Sequence, residues 1–232
     1  EDCLTALKQF EESDTRFDAI ITSPPYNLGK SSGAGIKNVT STSLWSACRL
    51  RDGYGAFDDA MSDEDYRSWQ AEVLLAMWNV LSDTGAIFYN HKPRIQKGQV
   101  TLPTEWNPGL PLRQIIIWDR GSGMNFSPTF FCPRHEYVMV YARPKSRLKN
   151  QKCSGLGDVW RIPPTRNELH PVSFPAKLVS NILENIPAKK VLDPFMGQGT
   201  VGKVCNELGI EFTGVDADPR CLEMAKEHIG AV

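Results

Sequence analysis

Residues 189–202 have the sequence KKVLDPFMGQGTVG, and this stretch decides the fold class. Lys189-Lys190-Val191-Leu192 predicts a short strand that turns at Asp193 and Pro194. From Thr200 to Leu208 the apolar spacing is helical. Glycines between a strand and a helix let the backbone approach a ligand closely, and the first turn of the helix supplies N–H donors. The stretch therefore predicts a ligand-binding turn between a strand and a helix.

Short strands and helices alternate on the N-terminal and C-terminal sides of this stretch. Strands are predicted at 17–22, 86–89, 114–118, 137–141 and 212–215, and helices at 62–82, 175–186 and 219–229. Ser62 is the expected N-cap of the first of these helices, with Asp65 at its third position. The alternation predicts an α/β fold with a mostly parallel sheet. Strands 114–118 and 137–141 have no helix between them, which predicts an antiparallel hairpin at one edge.

The composition is that of a globular protein, with 232 residues, a net charge of -1, 41% hydrophobic and 23% charged residues. These values exclude overall disorder, and the length favours a single domain, 1–232, taken from a longer chain. No apolar run approaches the ~20 residues of a membrane span, and no signal peptide is seen, so we expect an intracellular protein with no membrane partner. The six cysteines form no CxxC pair and have no zinc-like spacing with the four histidines. We therefore expect reduced thiols and no metal.

The glycines of the turn form the pattern G-x-G-x-x-G, with Gly197, Gly199 and Gly202. Asp216 ends the next predicted strand and is placed to accept from ribose hydroxyls, as in a dinucleotide fingerprint. By itself the pattern leaves open a nicotinamide-dependent oxidoreductase, or a tight turn with no ligand. This sequence ends 16 residues after Asp216, and we therefore expect no second half of a dinucleotide fold after it. A nucleoside-carrying cofactor on a single half fits better.

A second motif, Thr22-Ser23-Pro24-Pro25-Tyr26-Asn27, follows the first predicted strand. Ligands of open α/β sheets bind outside the carboxyl ends of the strands, so we expect both motifs to open onto one crevice. The two prolines have no N–H, but their carbonyls remain free to accept. Alone, the motif is equally consistent with a rigid turn.

Together, Ser-Pro-Pro-Tyr and the later Asp-Pro-Phe-x-Gly-x-Gly-Thr resemble the DNA amino-methyltransferases that use S-adenosyl-L-methionine. The order, catalytic motif first and cofactor motif last, resembles the β class of that family. Three further stretches resemble family motifs in the same order: Glu1-Asp2-Cys3-Leu4, His135-Glu136-Tyr137-Val138 and His170-Pro171-x-x-x-Pro175-x-x-Leu178. Glu1 stands where the family usually has glycine. The resemblance implies a Rossmann-like class I methyltransferase fold, circularly permuted, with a mostly parallel seven-stranded sheet and helices on both faces.

The resemblance also implies the site residues. The catalytic residues are Ser23, Pro24, Pro25 and Tyr26. The cofactor-binding residues are Asp2, Cys3, Thr22, His170, Pro171, Phe174, Asp193, Pro194, Phe195, Gly197, Gly199, Thr200 and Asp216. S-adenosyl-L-methionine is the implied cofactor, S-adenosyl-L-homocysteine its product, and no metal is required.

The implied reaction is methylation of an exocyclic amine on a base flipped out of DNA. The lone pair of such an amine is delocalised into the ring. Acceptance of its two hydrogens by the Ser23 hydroxyl and the Pro24 carbonyl would localise that lone pair, and the Tyr26 ring could stack on the base. Family members with serine at the first motif position mostly methylate cytosine N4, which Ser23 therefore favours. Adenine N6, which prevails in members with aspartate there, remains the alternative.

Basic residues are concentrated late in the chain, where 143–166 contains seven Lys or Arg and the single acid Asp158. Such a run predicts contacts to the phosphates of DNA. The predicted DNA-binding residues are Lys30, Arg143, Lys145, Arg147, Lys149, Lys152, Arg161 and Arg166. The segment 144–169 is short for a recognition region, which predicts a short or relaxed target site, and a homodimer could supply further contacts. The glycine-rich 28–61 is expected to be a mobile lid over DNA. A catalytically silent DNA-binding module remains open.

Overall fold

The computed structural model describes residues 1–27, 60–96, 98–123, 126–164 and 175–230. Its helices are α1 (Cys3–Glu12), α2 (Asp63–Asn79), α3 (Ala176–Leu183), α4 (Thr200–Leu208) and α5 (Pro219–Ile229). Its strands are β1 (Phe17–Thr22), β2 (Leu81–His91), β3 (Arg94–Gln96), β4 (Gln99–Thr101), β5 (Leu112–Asp119), β6 (His135–Ala142), β7 (Val159–Arg161), β8 (Lys190–Asp193) and β9 (Glu211–Gly214). Short 3-10 helices lie at Pro103–Trp106 and Gln151–Leu156. Within these ranges no helix is both long and apolar enough to cross a membrane.

Seven strands form one sheet in the order β7-β5-β6-β2-β1-β8-β9. Only β6 runs against the others, because it pairs antiparallel with both β5 and β2. This confirms the predicted mostly parallel sheet and the antiparallel pairing of β5 with β6. β7 adds a short parallel strand outside that hairpin, and its three residues are too few to give a periodic sequence pattern. β3 and β4 form a separate two-stranded ribbon.

Helices cover both faces of the sheet, as the family resemblance implies. On β2, Ile87 and Tyr89 pack into a cluster with α1 and α2. Ala86 and Phe88, which point to the opposite face, pack into a second cluster with α3 and α4. Burial on both faces explains why the strands are nearly continuous apolar runs and not alternating ones.

Two helices, α2 and α3, end before their predicted boundaries, and α3 ends at Leu183 and not at 186. Ser62 caps α2 as expected, since its hydroxyl accepts from the Asp65 N–H at 3.1 Å. The helix ends at Asn79, before the predicted end near Ser82, because Leu81 already pairs with Phe17 in the sheet. α1 is an additional helix, absent from the sequence-based prediction.

Several predicted features fall outside the described residues. They are most of the lid segment 28–61, the end of the segment 144–169, and the site residues Lys30, Arg166, His170, Pro171 and Phe174. The five cysteines in the described ranges are free thiols.

Candidate active site

The two chemical motifs meet at the carboxyl edge of the sheet. β1 and β8 are parallel neighbours, so the turns that follow them start side by side. The Thr22 hydroxyl donates to Asp193 Oδ1 at 2.7 Å across 171 residues of sequence. The structure therefore brings the Ser-Pro-Pro-Tyr turn and the glycine-rich turn to one edge, as the sequence predicts.

The two glycines of the cofactor motif have different surroundings. Gly197 has a φ of 52°, and a Cβ added there would meet nothing within 4 Å. Gly199 has a φ of 82°, but its Cβ would lie 2.9 Å from Ile229 of α5. The open side of Gly197 fits the close approach of a nucleoside cofactor. The absence of a side chain at Gly199 is explained by the packing of α5.

The carboxylates of Asp193, which is buried, and Asp216, which is half-buried, flank the glycine turn. Asp216 accepts the Gly197 N–H at 2.9 Å through one oxygen and the Asp218 N–H at 2.9 Å through the other. Burial raises the pKa of Asp216, and these two N–H groups oppose the rise. Burial raises the pKa of Asp193 to about 7, against the hydrogen bonds from Thr22 and the Phe195 N–H. Each carboxylate oxygen has two lone pairs, so Asp216 retains capacity for ribose hydroxyls.

The start of the chain lies beside this turn. The Glu1 nitrogen donates to the Asp216 carbonyl oxygen at 2.9 Å. Asp2 is the N-cap of α1, with Oδ1 accepting from the Leu4 N–H at 3.0 Å. Cys3 is buried, which raises the pKa of its thiol to about 12. The structure thus gives Asp2 a helix-capping contact and Cys3 a packed position, both near the predicted cofactor edge.

The turn Ser23–Tyr26, named the catalytic turn after its predicted role, is held by polar side chains from other elements. The Ser23 Oγ lies 2.9 Å from the Tyr26 hydroxyl and 3.2 Å from Asn90 Oδ1. Asn27, with a φ of 53°, exchanges two side-chain hydrogen bonds of 2.9 Å with the backbone of Met61. The turn is therefore fixed at its first residue and immediately after its last.

A second polar group lies beneath the turn. The Tyr66 hydroxyl is 2.7 Å from the Pro25 carbonyl oxygen and 2.7 Å from His91 Nε2. Burial lowers the pKa of His91 to about 3, so its ring is neutral near pH 7. Gln70 also donates to the Tyr66 hydroxyl at 2.7 Å. The helical periodicity of 62–82 gives no sign of this contact between Tyr66 and Pro25.

Most of the described basic run lies away from this edge. Because β6 is antiparallel, the chain leaves it at the opposite edge, where the Arg143 N–H donates to Gly85 O at 3.0 Å. Lys145 pairs with Asp83 at 3.4 Å at the start of β2. Arg147 follows in the same segment, and Lys149 donates to Leu183 O at 3.1 Å, at the end of α3. These residues therefore lie at the edge away from the Ser-Pro-Pro-Tyr turn, and their predicted contacts with DNA stay a prediction.

Within the described part of the run, Arg161 returns to the carboxyl edge. Lys152 is exposed in the second 3-10 helix, and Arg161 ends β7 opposite Asp119, at the carboxyl edge. Within the described ranges no group of three His, Cys, Asp or Glu side chains is arranged to hold a metal ion.

A model of the DNA methylase family matches residues 17–227. The chain belongs to this family. The assignment confirms the resemblance drawn from the five sequence motifs.

The Type II methyltransferase M.BglII of Bacillus subtilis is 24% identical over 91% of this chain. M.HpaI of Haemophilus parainfluenzae is 25% identical over 97% of this chain and 71% of its own. The chain spans 63% of the length of M.BglII.

Solved structures share the fold at low sequence identity. The M1.HpyAVI–SAM complex is 19% identical, with a TM-score of 0.62 over 97% of this chain and 95% of its own. PvuII DNA methyltransferase (cytosine-N4-specific) is 15% identical, with a TM-score of 0.70 over 97% of this chain and 83% of its own. These matches confirm the class I methyltransferase fold.

Three polar residues at the site of this DNA methylase family member are absent from the predicted set. They are Asn90 at the end of β2, Glu136 at the start of β6 and Arg120 just after β5. Glu136 lies within His135-Glu136-Tyr137-Val138, which resembles a family motif. That resemblance indicates where Glu136 lies in the fold but not what it does. The loop from Arg120 to Arg134 also exposes two aromatic rings, Phe126 at 82% and Phe131 at 100%.

Proposed function

We propose that the protein transfers a methyl group from S-adenosyl-L-methionine to the exocyclic amine of a base flipped out of DNA. The observation that supports this most directly is the hydrogen bond from Thr22 to Asp193. It joins the turn suited to an amine to the turn suited to a nucleoside cofactor. Membership of the DNA methylase family supports the same reaction.

The described residues that would hold the cofactor are Gly197, Asp193 and Asp216. Open space at Gly197 admits a close approach, and the Asp216 carboxylate would orient ribose hydroxyls. When bound, the cofactor supplies an electrophilic methyl group on a sulfonium. The solved M1.HpyAVI complex with SAM, which has the same fold, supports this choice.

The residues of the catalytic turn would prepare the amine. Ser23 Oγ and the Pro24 carbonyl oxygen would accept its two hydrogens, so that the nitrogen lone pair points at the methyl carbon. The Tyr26 ring would support the base from one face. Most of the acceleration would come from this positioning and from fixed dipoles.

Cytosine N4 is the base we propose. Ser23 at the first motif position favours it, and the PvuII enzyme, described as cytosine-N4-specific, has the same fold. Adenine N6 is the second candidate, because serine and aspartate can both accept from an amine.

Duplex DNA is the proposed partner and would lie along the carboxyl edge of the sheet. Arg161 and Arg134 supply positive charge there, and Phe126 and Phe131 supply exposed rings. The lid role of 28–61, the recognition role of 144–169 and a homodimer stay predictions.

The test is mass spectrometry of nucleosides from duplex DNA incubated with the protein and methyl-labelled S-adenosyl-L-methionine. Labelled N4-methylcytosine is expected. Labelled N6-methyladenine would support the same methyl transfer but with adenine and not cytosine as the target base. The absence of label in any base, with cofactor binding intact, would favour a catalytically silent module.

A further inference from the structure

A buried carboxylate lies behind the catalytic turn and has no role in the mechanism above. Glu136 is 2% exposed at the start of β6. One of its oxygens is 3.0 Å from the Tyr26 hydroxyl, and the other accepts from Arg120 Nη1 at 2.9 Å. A buried charge is costly unless its oxygens are partnered, and here each oxygen has a partner. The carboxylate is thus bound firmly against Tyr26.

Asn90 completes the group with a fixed orientation. Its Nδ2 donates to the Tyr137 carbonyl oxygen at 3.1 Å. The amide oxygen therefore faces the two hydroxyls, at 3.2 Å from Ser23 and 2.9 Å from Tyr26. A carbonyl oxygen can accept but cannot donate. The two hydroxyls must therefore supply the protons that they share with Asn90 and Glu136.

Each hydroxyl has one proton to donate. The Glu136 carboxylate is a charged acceptor and therefore stronger than the neutral Asn90 oxygen, so the Tyr26 proton points to Glu136 and is not available to Ser23. Ser23 then gives its own proton to Asn90 or to the Tyr26 oxygen. In either arrangement the lone pairs of Ser23 remain available for a donor that enters the site.

We propose that Glu136 is a positioning residue that draws the Tyr26 hydroxyl proton toward itself and so keeps Ser23 an acceptor for the target amine. Arg120 holds the carboxylate in place. The inference rests on the proposed function, because the amine belongs to the flipped base.

The variant Glu136→Gln tests the direction of the protons. The new amide can donate to the Tyr26 oxygen, so the Tyr26 proton turns away from residue 136 and is shared between Asn90 and Ser23, where it competes for a lone pair of Ser23. We expect kcat to fall about tenfold or more, with the KM for DNA and the Kd for S-adenosyl-L-methionine within about twofold of wild type. Unchanged kcat in Glu136→Gln overturns the positioning role.

The double variant Tyr26→Phe/Glu136→Gln separates positioning from a structural role. Without the Tyr26 hydroxyl, no misdirected proton reaches Ser23, so the double variant should be several-fold faster than Glu136→Gln alone. If Glu136 only neutralised Arg120, deleting a hydroxyl would rescue nothing, and a double variant no faster than the single one contradicts the proposal. Should Glu136→Gln fail to bind cofactor in calorimetry, Glu136→Asp replaces it, because its shorter carboxylate keeps the charge beside Arg120 but withdraws from Tyr26.

Raman spectroscopy measures the hydrogen-bonding state of the Tyr26 hydroxyl without requiring enzymatic turnover. The tyrosine Fermi doublet of Tyr26, isolated by subtracting the spectrum of Tyr26→Phe, should be that of a strong donor in the wild type and should shift to that of a hydroxyl that both donates and accepts in Glu136→Gln. An acceptor-type doublet in the wild type overturns the proposal. A wild-type protein that methylates no base overturns the proposed function and this role together, whereas methylation unaffected by Glu136→Gln overturns this role alone.

Discussion

Ser23 is the residue at which the proposed chemistry is most directly testable. Its hydroxyl contacts Tyr26 and Asn90 and makes no hydrogen bond to the glycine turn. Ser23→Ala should lower kcat by about a hundredfold, the scale of losing one preorganised hydrogen-bonding group. Titration calorimetry should give a Kd for S-adenosyl-L-methionine close to that of wild type. An equal loss of cofactor affinity would show that Ser23 supports the cofactor and not the amine.

Asp193 makes stability depend on pH in a predictable direction. Its pKa is about 7 in the folded protein against 3.8 for the free side chain. Between these values the folded state binds more protons than the unfolded state, so this contribution to stability falls as pH rises. Asp193→Asn keeps an oxygen for Thr22 and Phe195 but removes the titration. The free energy of unfolding of the variant should therefore rise relative to that of wild type by a few kcal/mol between pH 4 and pH 7, at about 1.4 kcal/mol per unit of pKa shift.

Denaturant unfolding of both proteins across this range measures that difference. His91 acts in the opposite direction, since its neutral folded state loses stability as pH falls below about 6.5. It is present in both proteins and cancels in the comparison. A stability difference that does not change with pH would mean that Asp193 stays ionised when folded.

The turn between β8 and α4 offers a matched pair of variants at the scale of an element. Gly197 and Gly199 both have positive φ, so alanine strains either position by about 1 kcal/mol. At Gly199 the new methyl would also meet Ile229 and Ala225 at 2.9 and 3.0 Å. Gly199→Ala should therefore lower the free energy of unfolding by a further ~1–3 kcal/mol relative to Gly197→Ala. Gly197→Ala should instead weaken the binding of S-adenosyl-L-methionine. Equal affinities for the cofactor in the two variants would contradict a cofactor site at Gly197.

The elements predicted correctly are those with a strong local pattern. The Ser62 cap and the apolar runs of β1 and β8 depend on neighbouring residues, and the sequence shows them directly. β7 is too short to have a period. The contacts of Glu136 and Asn90 with Tyr26 join residues 110 and 64 positions apart, and only the assembled sheet brings them together.

Across the whole molecule, strand direction decides which charges can serve the site. The basic run is contiguous in sequence, but β6, 8 residues or about 25 Å long, separates Lys145 from the carboxyl edge. Composition alone could not reveal this, because it depends on the reversal of one strand. Arg161 has an 80% exposed side chain and lies on the same edge as Ser23.

Salt dependence of DNA binding tests this division of charge. Arg161→Ala should weaken binding and reduce the slope of log K against log salt by about 0.9, the value for one phosphate contact. The triple variant Lys145→Ala, Arg147→Ala, Lys149→Ala removes more charge from the opposite edge and should change the slope by less than one such contact. Fluorescence anisotropy of a labelled duplex over a range of salt concentrations measures both variants. A flatter slope in the triple variant alone would put DNA at the edge away from Ser23, where no base could reach the catalytic turn.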